Sequence, residues 1–365
     1  MGTRSWSGWG GILVVALAFL LAQDGDHVAQ AQGGAALRGT TMRVSTWGGS
    51  WKDARHVTAG KRLEQLGVKV EYVVGNPMDN FAKLVAARGR DVPFDLMELG
   101  TGDIKIQARE QGFLEKLDLA RVPNARDLPP ASVDVDAVST HLLQIVIAYN
   151  AEKFKEQGLP APTEFKQLFH PKLAGRVAFP DINTTMAAYT IVGFAMLAGG
   201  DEHNIAPGFK KIGELKVNYY YKASTDLITK FTMGDVWAAP WHVGWVFRAR
   251  KAGFPMSFAD PRGDKWTGMI ANEWVGIIKG SRNRAAAEAY LNAMLDPDLQ
   301  VDFAKRVFMA PTTRKALQKV AADAALRESF MWREEEIKKA YELDWKVLAR
   351  DWPKWVEAWN RVTLR

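Results

Sequence analysis

The stretch that decides the fold is MRVSTWGGSWKDARHVTAGKRLEQLGVKVEYVV, residues 42–74. It begins with a short β-type run over 42–46, continues with a helical stretch from Ser50 to Leu66, and ends with a second β-type run over 68–74. A helix between two such runs predicts two parallel strands with the helix packed on their sheet. Ser50 is suited to be the N-cap of this helix.

The same rhythm continues along the chain. We predict a helix over 79–87 capped by Asp79, a strand over 94–99, a helix over 102–110 and, after an irregular stretch, an apolar strand over 142–149. A second block has predicted strands over 176–179, 217–221, 236–239 and 273–278, and predicted helices over 183–197, 225–231, 243–251 and 285–295. A last helical region, 328–362, is predicted to be interrupted near Pro353. The fold class is therefore α/β with mostly parallel sheets.

Composition excludes several classes of protein. The chain has 365 residues, of which 47% are hydrophobic and 24% are charged, which suits two packed domains rather than a disordered or multi-span membrane protein. It contains no cysteine, which excludes thiol catalysis, cysteine-ligated metals, disulfides and a lipid-anchored cysteine. The net charge is +7, but basic and acidic residues are interleaved, so no nucleic-acid partner is predicted.

The first 31 residues are predicted to be a secretory signal peptide. Arg4 precedes an apolar run over 11–22, and a small-residue cleavage site follows at 29–31, with an earlier cut near Ala22 as the alternative. The apolar run is too short to cross a bilayer as a permanent anchor. We therefore expect a protein that is exported to the periplasm and is not inserted in a membrane after removal of the signal.

Aromatic and polar side chains collect at predicted strand ends. Ligands of open parallel sheets bind at the carboxyl ends of the strands. There, indole rings can stack on a planar group or face a cation. The candidate ligand-binding residues are Trp47, Trp51, Thr101, Asp103, Asp181, Asn183, Thr184, Trp241, His242, Glu273 and Trp274.

Other motifs favour structural roles. Trp345, Trp352, Trp355 and Trp359 fall on one helical face, which predicts core packing. The tyrosines at 219–221 alternate across a strand, so they cannot all hold one metal ion. The sequence lacks a G-x-S-x-G elbow, a P-loop and a complete G-x-G-x-x-G turn. We predict no catalytic residues, no metal site and no cofactor.

Several segments, in this order, resemble one family. They are RVSTWGGSW (43–51), FDL (94–96), LAGRVAFPD (173–181), GDVWAAPW (234–241), NEW (272–274) and APT (310–312). Together they resemble the polyamine-binding (spermidine/putrescine) group of periplasmic solute-binding proteins of ABC importers. The resemblance implies a two-lobed type II fold with two hinge crossovers and a ligand cleft. Lobe 1 would comprise 42–145 plus 271–330, lobe 2 would comprise 146–270, and 331–365 would be a C-terminal helical region.

The resemblance also implies roles for single residues. The aromatic residue that follows the strand of the second lobe falls on Trp241, and the acid at the return crossover falls on Glu273. A second acid of the family pattern is replaced by Thr184 or Thr185, which points to a ligand with one ammonium group and one anionic or neutral end. The start of the helix at 183–185 suits such an anionic end.

The function expected from these features is that of a monomeric receptor. It would deliver a small amine-containing solute, either polyamine-like or an amino-acid-like zwitterion, to an inner-membrane ABC permease. A ferric-ion or small-carboxylate receptor of the same fold is an alternative, and a secreted α/β hydrolase is another. The sequence leaves the identity of the ligand open.

Overall fold

The computed structural model describes residues 37–88 and 90–363, so the predicted signal peptide lies outside the described residues. Within them, ten strands form one sheet with the order β2-β1-β3-β9-β4-β7-β5-β6, and β8 and β10 each pair with β4. The strands are β1 (Thr41–Thr46), β2 (Lys69–Val74), β3 (Leu96–Gly100), β4 (Ala137–Asn150), β5 (Val177–Pro180), β6 (Val217–Tyr221), β7 (Ala238–His242), β8 (Met256–Ala259), β9 (Met269–Ile277) and β10 (Ala310–Pro311). The predicted α/β class is confirmed.

Helices cover both faces of this sheet. They are α1 (Ser50–Arg55), α2 (Lys61–Gln65), α3 (Pro77–Ala86), α4 (Gly102–Glu110), α5 (Ala151–Gln157), α6 (Thr185–Met196), α7 (Ala206–Glu214), α8 (Ser224–Thr232), α9 (Val243–Lys251), α10 (Arg284–Met294), α11 (Pro297–Val307), α12 (Arg314–Ala322), α13 (Ala324–Arg327), α14 (Glu334–Lys339) and α15 (Trp345–Thr363). A π-helical stretch, His56–Gly60, joins α1 to α2 without a break. The predicted β-α rhythm of the first hundred residues is confirmed.

Strand pairing divides the sheet into two parts. Strand β1 pairs in parallel with β2 and β3, and β5 pairs in parallel with β6 and β7. We call the part built on β1, β2 and β3 lobe 1, and the part built on β5, β6 and β7 lobe 2. The long strand β4 pairs with β9 over 137–145 and with β7 over 145–149, so it runs from one lobe into the other.

Apolar side chains fill both faces of the sheet in each lobe. In lobe 1, Val44 and Leu96 belong to a core on one face, and Leu99 belongs to a core on the other. In lobe 2, Tyr220 packs in one core, while Tyr219 and Tyr221 pack in the opposite one. The three adjacent tyrosines therefore alternate across the sheet, as the strand pattern predicts.

Local chemistry moves several predicted boundaries. Gly49, with a φ of 60°, is the N-cap of α1, and Ser50 is already helical, so the predicted serine cap is wrong. Asn76 replaces Asp79 as the cap of α3, because Pro77 fits the first helical position and the Asn76 side chain accepts from the Asp79 N–H at 2.8 Å. Pro353 lies inside α15 and does not interrupt it.

Candidate functional site

A cleft of about 750 Å³ lies between the two lobes. Lobe 1 contributes the segments that follow its strands, with Trp47 after β1 and Thr101 and Asp103 after β3. Lobe 2 contributes Asn183, Thr184 and Thr185 at the start of α6, together with Lys222 after β6. Strand β9 contributes Glu273, and α15 supplies a further wall with Trp345 and Trp352. The cleft thus lies at the carboxyl ends of parallel strands, where small ligands bind in open sheets.

The side of the cleft formed by lobe 1 and β9 is acidic. Glu273 lines the cleft, although only 5% of its surface is exposed. Its carboxyl group has no hydrogen bond or ion pair with the described residues. Burial and the nearby carboxylates of Glu98 and Asp103 raise the pKa of Glu273 to about 8. Burial also raises the pKa of Asp103, whose carboxyl accepts from Thr101 Oγ1 at 2.9 Å. A bound cation would relieve the cost of these buried acids.

The side of the cleft formed by lobe 2 is rich in donors. Thr184 caps α6, where its Oγ1 accepts from the Ala187 N–H at 3.3 Å. The N–H groups of the first helical residues have no acceptor within the helix, and the helix dipole favours negative charge there. Lys222 adds a positive charge at this side and makes no ion pair with the described residues. This side suits an anion.

A buried ion pair supports lobe 1 behind the cleft. Arg55 Nε lies 3.0 Å from Glu98 Oε1, and both side chains are almost completely buried. Thr46 Oγ1 and Trp51 Nε1 each donate to the same carboxylate at 2.9 Å. Burial, and then the charge of Arg55, holds the pKa of the neighbouring His141 well below its usual value. Glu98 is therefore fully paired, in contrast to Glu273.

Six predicted site residues line the cleft together. They are Trp47, Thr101, Asp103, Asn183, Thr184 and Glu273. The predicted residues that do not line it are Trp51, Asp181, Trp241, His242 and Trp274. Residues from both lobes and from β9 are thus brought to one space, although they are far apart in sequence.

The structure places Trp241 and His242 away from the cleft because β7 begins and ends later than the sequence suggests. The predicted strand ended at Ala239, whereas β7 includes Pro240 and both of these residues. The pairing of β7 with β5 ends at Ala238. Pro240, which has no backbone N–H, is therefore tolerated in β7, because no hydrogen bond to β5 is required from it. Trp241 is consequently buried and stacks between Phe231 and Trp245. Burial, with Arg248 nearby, lowers the pKa of His242 to about 3.

Of the other three residues, Trp51 and Asp181 contact residues that line the cleft, whereas Trp274 is buried in a core of lobe 1. Trp51 contacts Trp47 with ring centroids 5.1 Å apart. Asp181 accepts from the N–H and the side-chain amide of Asn183 at 3.1 and 2.9 Å, which fixes the turn before α6. Trp274 points to the face of β9 opposite Glu273, where the ammonium group of Lys105 lies 3.6 Å from its ring centroid.

Sequence reasoning missed Lys222, Trp345 and Trp352, which all line the cleft. The two tryptophans belong to the stripe assigned to core packing. That assignment fits Trp355 and Trp359, which are 1% and 4% exposed in the core of lobe 2. It also fits Trp345 and Trp352, which are partly buried and pack against the same core while lining the cleft. A helix of 19 residues is about 28 Å long, so one face of α15 extends from this core to the cleft. Lys222 directly follows a predicted strand, which is a signal that could have found it.

Comparisons with known proteins agree with a cleft between two lobes. Residues 61–328, well over half of the chain, match the family described as bacterial extracellular solute-binding protein. The chain belongs to this family. A curated relative, the gamma-aminobutyric acid-binding protein of Pseudomonas aeruginosa, is 23% identical over 293 residues, which cover 76% of this chain and 78% of the relative.

Solved structures share the fold of this solute-binding protein. An ABC transporter from Clostridium perfringens ATCC 13124 matches with a TM-score of 0.73 and 23% identity, over 88% of this chain and 99% of that one. PBP MotA from A. tumefaciens B6, in complex with glucopine, matches with a TM-score of 0.72 and 21% identity, over 88% and 99% of the two chains. The two-lobed periplasmic binding protein fold implied by the sequence is thereby confirmed.

Family membership gives the general role of the protein. Members are solute-binding receptors that act outside the cytoplasm. They bind a small molecule and work with the permease of an ABC transporter. No helix among the described residues is both long and apolar enough to cross a membrane. The family consists of binding proteins rather than enzymes.

Proposed function

We propose that the cleft binds a small zwitterion, with its ammonium group at Glu273 and Asp103 and its carboxylate at the start of α6 beside Lys222. The observation that carries this proposal is the carboxyl group of Glu273, which is buried, faces the cleft and has no partner among the described residues. A buried carboxyl group of this kind gains most from a charged donor. The match to a gamma-aminobutyric acid-binding relative agrees with a solute of this class.

A diamine of the polyamine class fits less well. Its second ammonium would lie near Lys222 and the positive end of the α6 dipole, where like charges repel. Thr184 and Thr185 stand where a second acid would be needed. We therefore favour 4-aminobutyrate and similar ω-amino acids over putrescine.

Calorimetry with three matched solutes tests this assignment. The solutes are 4-aminobutyrate, putrescine and butyrate, which carry both ends, two ammonium groups and one carboxylate, respectively. We expect 4-aminobutyrate to bind about 10- to 150-fold more tightly than the other two. Putrescine has no carboxylate for the start of α6 and Lys222, and butyrate has no ammonium group for Glu273 and Asp103. Tighter binding of putrescine would overturn the zwitterion assignment, and no binding of any of the three would overturn the amine assignment.

Binding is also expected to depend on pH. The pKa of Glu273 is about 8 in the empty cleft, so the group is mostly protonated at pH 7. An ammonium ligand needs the carboxylate, and its binding therefore releases a proton at this pH. Affinity for 4-aminobutyrate should rise with pH between about 6 and 8, by at most tenfold per unit. Titrations in two buffers of different ionisation enthalpy measure the released proton, and a pH-independent affinity would contradict the role of Glu273.

The remaining parts of the proposal concern the whole molecule. We propose that lobe 1 comprises 42–145 and 271–330, that lobe 2 comprises 146–270, and that 331–365 form a C-terminal region. The boundary between the lobes at 145 is supported by strand β4, which changes its pairing partner from β9 to β7 at Ile145. The protein would be exported by its first 31 residues, act as a periplasmic monomer and deliver its solute to an inner-membrane permease. Mass spectrometry of the exported protein would identify the cleavage site.

A further inference from the structure

Helix α15 touches both lobes. It packs against α4 of lobe 1 and α7 of lobe 2. It also lies beyond the residues, 61–328, that match the solute-binding family.

The C-terminal half of α15 is anchored in lobe 2. The ring of Trp359 lies 5.8 Å from that of Phe179 and 5.2 Å from that of Tyr220, centroid to centroid. Trp355 contacts Phe209 of α7 in the same core. These buried contacts fix the helix to lobe 2.

The segment before α15 is tied to strand β9. Ile270 N–H donates to the carbonyl of Tyr341 at 2.9 Å, and Tyr341 N–H donates to that of Gly268 at 2.9 Å. Asn272, the neighbour of Glu273, donates from its side-chain amide to both carboxylate oxygens of Glu342 at 3.0 Å. The start of the helix is therefore held close to the acidic side of the cleft.

The N-terminal half of α15 approaches lobe 1 most tightly at a glycine of α4. Gly102 is the first residue of α4, and a Cβ atom added there would lie 2.3 Å from Cγ of Trp345. The φ of Gly102 is not in the left-handed region, so its backbone does not require glycine. What requires glycine at this position is the close approach of the Trp345 indole.

We infer that α15 is part of the ligand site and sets its width: Trp345 and Trp352 form an aromatic wall, which the contact of Trp345 with Gly102 holds at a fixed distance from lobe 1. The ligand contact of this wall rests on the proposed function, whereas its spacing role does not. Indole faces attract cations. Pro353, which has no N–H, also leaves the carbonyl of Ala349 without its usual helical donor at the cleft. The wall therefore suits the cationic end of a solute and limits the breadth of the solute.

The spacing role is tested by Gly102→Ala. The chain has no cysteine, so spin labels can be placed at Lys61→Cys in lobe 1 and Lys210→Cys in lobe 2, both exposed positions. We expect Gly102→Ala to lengthen the distance between the labels and to weaken 4-aminobutyrate binding at least tenfold. Adding Trp345→Ala should remove this lengthening, because the indole that the new Cβ atom would meet is then absent. The buried indole nitrogen of Trp345 has no hydrogen-bond partner among the described residues, so its removal breaks no hydrogen bond among them.

Gly213→Ala is the matched control. Its Cβ would meet Val362, near the far end of the same helix, at 3.3 Å, and it should leave both the label distance and the affinity unchanged. An unchanged label distance in Gly102→Ala would overturn the spacing role, whether or not any solute binds.

The ligand contact is tested by Trp352→Leu. We expect about three- to thirtyfold weaker binding of 4-aminobutyrate, with Trp332→Leu as a control because Trp332 is also partly buried but does not line the cleft. Equal affinities of the two variants would overturn the aromatic wall. If the parent protein binds none of the three calorimetry solutes, the proposed function fails, while the label distances still decide the spacing role.

Discussion

Replacing Glu273 by glutamine is expected to weaken binding of 4-aminobutyrate by about 10- to 150-fold, because a charged hydrogen bond in the cleft contributes about 1.5 to 3 kcal/mol. Glutamine keeps the size of the side chain and removes its charge. Calorimetry on the purified variant at pH 8 gives the change directly. Asp260→Asn is the control, since Asp260 is another acid whose pKa is raised by burial but does not line the cleft. Equal affinities of the parent and Glu273→Gln would remove Glu273 from the site.

The same substitution is expected to stabilise the empty protein at high pH. The pKa of Glu273 is raised from 4.5 to about 8, so the native protein holds a proton that the unfolded chain has lost between these values. The stability contributed by this group is fully present below pH 4.5 and is lost as pH rises through 8. Glutamine does not titrate, so its side chain causes no such loss. Between pH 5 and pH 9, the free energy of unfolding of the variant should therefore rise by on the order of 3 kcal/mol relative to that of the parent. Denaturant unfolding at both pH values measures this difference.

Replacing Arg55 by methionine is expected to cost about 3 to 5 kcal/mol of folding stability. The substitution leaves the buried carboxylate of Glu98 without its cationic partner, which is a much larger effect than the loss of a surface pair. Urea unfolding gives the free energy of unfolding of the parent and the variant. The control is Lys69→Met, which breaks the exposed pair of Lys69 with Glu71 and should cost less than about 1 kcal/mol.

A double variant separates charge from packing at this position. Arg55→Met with Glu98→Gln removes both charges, and it should recover part of the stability that Arg55→Met loses. If Arg55→Met alone cost no more than Lys69→Met, the buried pair would not be what supports lobe 1 behind the cleft.

The sequence contains enough information to predict the alternation of strands and helices. The apolar runs at β1, β2 and β6 are bounded by glycines and polar residues, which makes them recognisable without a structure. The exact ends of strands are less visible. Pro240 looks like the end of a strand, but it lies within β7 because the pairing with β5 has already ended, and this difference buries Trp241.

The sequence also does not show which parts of the molecule a helix contacts along its length, and this limited the prediction of the site. The tryptophans of α15 form one stripe, and periodicity shows that they share a face but not what that face meets along its length. Trp355 and Trp359 are buried in the core of lobe 2, whereas Trp345 and Trp352 pack against this core and also line the cleft. Glu273 was predicted correctly as a cleft residue because the family resemblance implies an acid at the return crossover between the lobes.

A crystal structure of the protein with 4-aminobutyrate tests the central claim most directly. The expected result is a solute between the lobes, with its nitrogen within hydrogen-bonding distance of Glu273 and its carboxylate at the first residues of α6. Density for the solute outside the cleft, or with its carboxylate against Glu273, would contradict the account.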